Sequence, residues 1–130
     1  MKRPMLVLAV ALTGLASVPA FAAGGLSPGV YVTKITGATP AVLNSSWRLA
    51  LKGNRFTTTR NNKPAVAGVA TITGSKISFH DLSGPYRCTG SQAIGSYHWY
   101  LRGTGLTFRV VRDACSGRKA ILTNGFTKTG

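Results

Sequence analysis

Tyr97-His98-Trp99-Tyr100-Leu101-Arg102-Gly103-Thr104-Gly105-Leu106-Thr107-Phe108-Arg109-Val110 is the stretch on which the fold turns. Apolar and polar residues alternate on either side of Gly103-Thr104, and alternation is the signature of a half-buried strand. Gly103 takes the first central place of a two-residue loop, where a type II′ turn demands positive φ. So short a loop fixes the register. Leu101 then faces Leu106, Trp99 faces Phe108 and Tyr97 faces Val110 on one side, while His98 meets Arg109 on the other.

The same grammar recurs upstream at Lys52-Gly53-Asn54-Arg55 and Thr73-Gly74-Ser75-Lys76. Around the first turn Leu51 faces Phe56, Leu49 faces Thr58 and Trp47 faces Arg60, with Arg48 and Thr59 on the opposite side. Around the second Ile72 faces Ile77 and Ala70 faces Phe79, with Thr71 and Ser78 opposite. Each register gathers the apolar residues on one face, which a one-residue slip would scatter. The hairpins imply strands at about 46–52, 55–60, 66–73, 76–80, 95–102 and 105–111, and two more fit at 29–36 and 118–127. Eight antiparallel strands in chain order, each with one apolar face, point to an all-β up-and-down barrel whose first and last strands pair. A two-sheet sandwich is the alternative, if the long connections at 37–45 and 81–94 cross over.

The N-terminus carries Lys2 and Arg3, an apolar run from Met5 to about Leu15, and Ala20-Phe21-Ala22. This is the layout of a secretory signal peptide over residues 1–22, cleaved after Ala22 or, alternatively, after Ala23. Its apolar run is too short to remain as a membrane anchor. Residues 23–130 are then expected to form one small barrel domain, secreted or periplasmic, monomeric and without an integral membrane segment. The chain has two cysteines, Cys88 and Cys115, and in an exported protein they read as one disulfide. In the chain-entropy account a bridge of this span contributes about 3.5 kcal/mol.

Charge is the most one-sided feature. Sixteen Lys and Arg stand against two acids, Asp81 and Asp113, for a net charge of +14. Loss of Lys2 and Arg3 with the signal would bring it to +12. Such a balance attracts polyanions irrespective of their sequence, and it also keeps a protein soluble.

Three elements resemble a known family: Gly29-Val30-Tyr31 at the first strand, Tyr97-His98-Trp99-Tyr100-Leu101 through Leu106-Thr107-Phe108, and Asp113-Ala114-Cys115-Ser116-Gly117-Arg118. Together they are similar to the lipocalin-like, calycin-type domains of exported bacterial proteins, with Tyr31 standing where lipocalins open with Trp. The resemblance runs from Gly29 to about Thr127. It implies a calycin-type barrel closed at one end by Arg118 over Tyr31, a cation–π contact of about 0.5–2 kcal/mol, and binding of a small apolar ligand.

Catalysis has little to work with. The acid–base supply is Asp81, Asp113, His80 and His98. Asp113 lies where it can pair with Arg118, His80 and Asp81 point to opposite sides of a strand, and His98 falls on the outer face. No catalytic set, metal set or cofactor motif emerges. A ligand site inside the barrel would use Trp47, Phe56, Thr58, Arg60, Phe79, Tyr97, Trp99 and Phe108, unless these bulky side chains fill the interior themselves. An anionic polymer or lipid surface would instead meet Arg48, Lys52, Arg55, Arg102 and Arg109 on the outside. A third reading, inhibition of an extracellular hydrolase, would use a protruding loop or the segment Ala23–Pro28.

Overall fold

The computed structural model describes residues 25–130, so the signal-peptide reading of residues 1–22 lies outside the described residues. Eight strands follow one another: β1 (Gly29–Lys34), β2 (Ser46–Lys52), β3 (Arg55–Arg60), β4 (Lys63–Thr73), β5 (Lys76–Ser83), β6 (Ile94–Arg102), β7 (Gly105–Arg112) and β8 (Phe126–Lys128). Each pairs antiparallel with the next, and β8 returns to β1, closing an all-β up-and-down barrel. A seven-residue helix, α1 (Ser116–Leu122), lies between β7 and β8.

The three hairpins hold the registers that their turns dictate. Leu51 pairs with Phe56, Leu49 with Thr58 and Trp47 with Arg60. Ile72 pairs with Ile77 and Ala70 with Phe79, while Leu101 pairs with Leu106 and Trp99 with Phe108. Gly53, Gly74 and Gly103 have φ of 61°, 60° and 60°, and the residue after each does not share the positive φ, as type II′ turns require.

Three details differ from the sequence reading. A fourth tight turn, Asn61-Asn62 with φ of 50° and 68°, joins β3 directly to β4, so β4 begins at Lys63 rather than near residue 66. Two successive positive φ values make a type I′ turn, which asparagine tolerates better than other side-chain-bearing residues. The first half of the stretch expected as a strand from Arg118 to Thr127 belongs to α1, with Cys115 at its N-cap, and β8 is reduced to three residues. Arg118, Ile121 and Leu122 recur at helical spacing and turn one face inward. Finally, Val110, expected inside, is 39% exposed. A register shift opposite Ser96 and Tyr97 bulges the end of β7 and re-aims its side chains.

The interior is packed unevenly. Phe56, Phe79, Tyr97, Phe108 and Phe126 meet edge to face, with ring centroids 5.1–6.1 Å apart. Each such contact adds about 0.5–1.5 kcal/mol to the burial itself. Leu26 is buried beneath this cluster, and Gly25 lies against Trp99, so the N-terminal segment plugs the end that bears the three glycine hairpins. The segment expected as a possible inhibitory arm is thus partly committed to the core. A smaller group, Ile35, Leu43, Trp47 and Ala65, sits toward the opposite end.

Gly68 on β4 has no room for a side chain. A Cβ there would collide with the His80 carbonyl and press on Phe56, whereas one at Gly103 meets nothing within 4 Å and meets only the penalty of its positive φ. Urea unfolding should show Gly68→Ala losing roughly 3 kcal/mol and Gly103→Ala only about 1 kcal/mol. Equal losses would mean that β4 and β5 are not this close.

Candidate functional site

Between the aromatic cluster and the smaller apolar group the barrel encloses a cavity of about 240 Å³. Its apolar wall comes from Trp47 and Leu49 on β2, Phe56 on β3, Val66 on β4, Phe79 on β5 and Leu122 on α1. Tyr86, Gln92 and Ser116 also line it and are exposed, so it reaches the surface at the end that carries the longer connections. The Trp47 indole N–H donates to the Leu43 carbonyl at 2.9 Å, which fixes the ring as a rigid wall.

Two polar atoms in this wall are buried: Thr58 Oγ1, which has no hydrogen-bond partner, and Asp81 Oδ1, whose one close partner is Arg118 Nη1 at 2.9 Å. Thr58 owes its inward aim to the period-2 alternation after Phe56. Asp81 follows Ile77 and Phe79 on the inner face of β5, with its side chain 3% exposed.

Behind Asp81 stands a buried ion cluster. Arg118 Nε donates to Asp113 Oδ2 and Nη2 to Asp113 Oδ1, both at 2.8 Å. Nη1 donates to the Ala93 carbonyl at 3.1 Å and lies 2.9 Å from Asp81 Oδ1, and Nη2 also donates to the Gln92 carbonyl at 2.7 Å. No guanidinium nitrogen is left for a ligand. Asp81 Oδ2 accepts from the Cys88 amide and Asp113 Oδ1 from the Cys115 amide, each at 2.9 Å. Cys88 and Cys115 are joined by a disulfide, with Cα atoms 6.2 Å apart. The Tyr97 hydroxyl donates to Asp113 Oδ2.

Burial works against ionising Asp113, but the Arg118 and Tyr97 hydrogen bonds and the Cys115 amide outweigh it and hold the carboxyl below its ordinary value. Burial likewise opposes the charge on Arg118, and its two carboxylates more than compensate, raising its pKa. Tyr97 is pushed well above the usual tyrosine value, first by burial and then by the hydrogen bond to Asp113.

Of the eight interior residues read from the sequence, Trp47, Phe56, Thr58 and Phe79 line the cavity. Tyr97 and Phe108 are buried in the aromatic cluster away from it. Trp99 lies at the hairpin end, its indole N–H donating to the Gly74 carbonyl at 3.1 Å. Arg60 sits at the rim rather than in the wall, bonding the Val42 carbonyl at 3.1 Å and the Tyr86 hydroxyl at 3.3 Å. Arg118 is not stacked over Tyr31, whose hydroxyl donates to the Ser27 carbonyl instead. The cation–π pairs among the described residues are Arg60 with Tyr86 and Arg109 with Tyr100. Asp81 was missed as a wall residue, although continuing the β5 alternation by two residues past Phe79 would have found it.

Outside, Arg48, Lys52, Arg55, Arg102 and Arg109 are all exposed. Lys52 faces Arg55 across the first turn, and with Lys76 and Arg102 they ring the hairpin end. On the side, Lys76 pairs with His98 and His98 with Arg109, whose guanidinium covers the Tyr100 ring at 5.4 Å. No helix among the described residues is long and apolar enough to cross a membrane.

No protein-family model matches the chain, and no curated protein or solved structure is significantly similar to it.

Arg118→Met would strand two buried carboxylates, and a loss of about 3–5 kcal/mol is expected in urea unfolding; a loss under 1 kcal/mol would show the cluster to be solvated. The pH dependence has two limbs. Asp113 binds its proton more weakly folded than unfolded, so its contribution is complete above the unfolded aspartate value of about 3.9 and is lost as pH falls through the depressed native value. Tyr97 holds its proton more tightly folded, so stability declines as pH rises past the ordinary tyrosine value of 10.0. Thermal melts should give a plateau between about pH 5 and 9; acid resistance down to about pH 2 in wild type would contradict the Asp113 limb.

Proposed function

We propose that the protein is an exported binding protein of calycin-type, lipocalin-like design, which takes a small apolar ligand into the cavity at the loop end of its barrel. The observation that carries this reading is Thr58 Oγ1, a buried hydroxyl without a protein partner in a wall built mainly of apolar side chains. Buried polar groups in native structures are nearly always satisfied, and a ligand with a polar tip would complete this one. The cavity volume lies just under the ~300–1,000 Å³ typical of drug-sized sites, which suits one ring or a short chain. The commitments of the ionisable groups support binding over catalysis: both carboxylates are engaged by Arg118, and His80 and His98 stand on the outer face of the strands. The signal-peptide layout and the disulfide support a secreted or periplasmic monomer.

A second reading has its own observation. Both acids of the chain are spent on Arg118, so among the described residues the exposed side chains that carry charge at neutral pH are basic. An anionic polymer or lipid surface would meet attraction from every side, and most densely at the hairpin end.

Salt separates the two. Tryptophan fluorescence of the mature protein should change saturably with 2-phenylethanol, and the affinity should be the same at low and high ionic strength. Heparin binding, if it occurs, should weaken steeply with salt. The cavity reading fails if no single-ring or short-chain probe produces a saturable change; Trp47→Phe should remove most of the fluorescence signal.

A further inference from the structure

Resting on that cavity reading, we infer that the ligand is a small apolar amine, whose ammonium group is received by Asp81 Oδ1 with Thr58 Oγ1 as a second acceptor. Three observations carry it. Asp81 is almost wholly buried in the cavity wall, and the one close partner of its Oδ1 is Arg118 Nη1 at 2.9 Å, which leaves lone-pair capacity on this oxygen for a further donor. The remaining Asp81 oxygen is held by the Cys88 amide, so the carboxylate cannot turn away from the cavity without losing that bond. The cluster as a whole is unbalanced: one guanidinium faces two carboxylates, which leaves one negative charge in excess at the cavity wall.

The excess selects the head group. A carboxylate ligand would bring a second uncompensated anion beside Asp81, and Arg118 has no nitrogen free to receive it. An alcohol can donate one neutral hydrogen bond. An ammonium donates three and cancels the surplus charge, and its apolar body lies against Trp47, Leu49, Phe56 and Phe79. The basic exterior repels a cation at long range, but that repulsion is screened over about 8 Å in physiological salt, while the buried contact is not.

The test is a matched series on the wild-type mature chain: 2-phenylethylamine, 2-phenylethanol and phenylacetate, titrated by calorimetry at neutral pH. A charge-assisted hydrogen bond corresponds to roughly ten- to hundredfold in affinity, so the amine should bind tighter than the alcohol by that factor, and phenylacetate weakest. Asp81→Asn should reduce the amine to the level of the alcohol. If amine and alcohol bind equally, or phenylacetate binds best, the inference is overturned while the cavity reading stands. If none of the three binds, both fall. Should Asp81→Asn fail to fold, the wild-type series still decides, because the other carboxylate side chain, Asp113, is 0% exposed and saturated by Arg118, Tyr97 and the Cys115 amide.

Discussion

Arg118 is the point at which the loop end of the barrel is tied together. Its guanidinium reaches Asp81 at the end of β5, the Gln92 and Ala93 carbonyls in the β5–β6 connection, and Asp113 just after β7. Tyr97 of β6 joins from the interior, and the two disulfide cysteines present their amides to the two aspartates. Covalent bridge and ion cluster thus form one lock over four chain segments. Even Gly95 serves it, since a Cβ there would collide with the Asp113 carboxylate. Buried ion pairs give little net stability against the cost of dehydrating them, but they tolerate few arrangements. Their contribution here is positional: they hold α1 and the β5–β6 connection as two sides of the cavity.

The same lock sorts the charges of the whole molecule. A chain with only two acids could have used them on the surface to moderate its positive field. Both are buried instead, so the negative charge faces inward and the positive charge outward. Interior and exterior therefore present charge of opposite sign, and the ligand reading and the surface reading concern two separate places rather than one.

Most of the barrel was legible because two-residue turns make register a matter of counting. Where a glycine marked the turn, the pairings for several residues on either side followed, and the inward faces of β2, β3, β5 and β6 came with them. Asn61-Asn62 escaped because asparagine pays a steric penalty at positive φ and announces a type I′ turn less clearly than glycine does. The last segment escaped for a different reason. Arg118-Lys119-Ala120-Ile121-Leu122 suits either structure, and what decides for a helix is tertiary: the Cys115 cap and the inward pull of two carboxylates on Arg118. The cavity was half legible. Alternation delivered Trp47, Phe56, Thr58 and Phe79, but it could not distinguish a side chain that lines space from one, such as Phe108, that fills it.

The brevity of β8 bears on how the molecule breathes. Three residues make the seam on which closure depends, pairing Val32 with Thr127 on one side and Leu106 with Phe126 on the other. A Thr129 hydroxyl reaching the Val30 carbonyl spans 99 residues of chain. Contacts so distant in sequence are entropically the most expensive to gather, while the glycine hairpins bring near neighbours together. Loop-closure entropy therefore favours the hairpins over the meeting of the barrel's two edges, and β8 is the shortest strand in that closing seam.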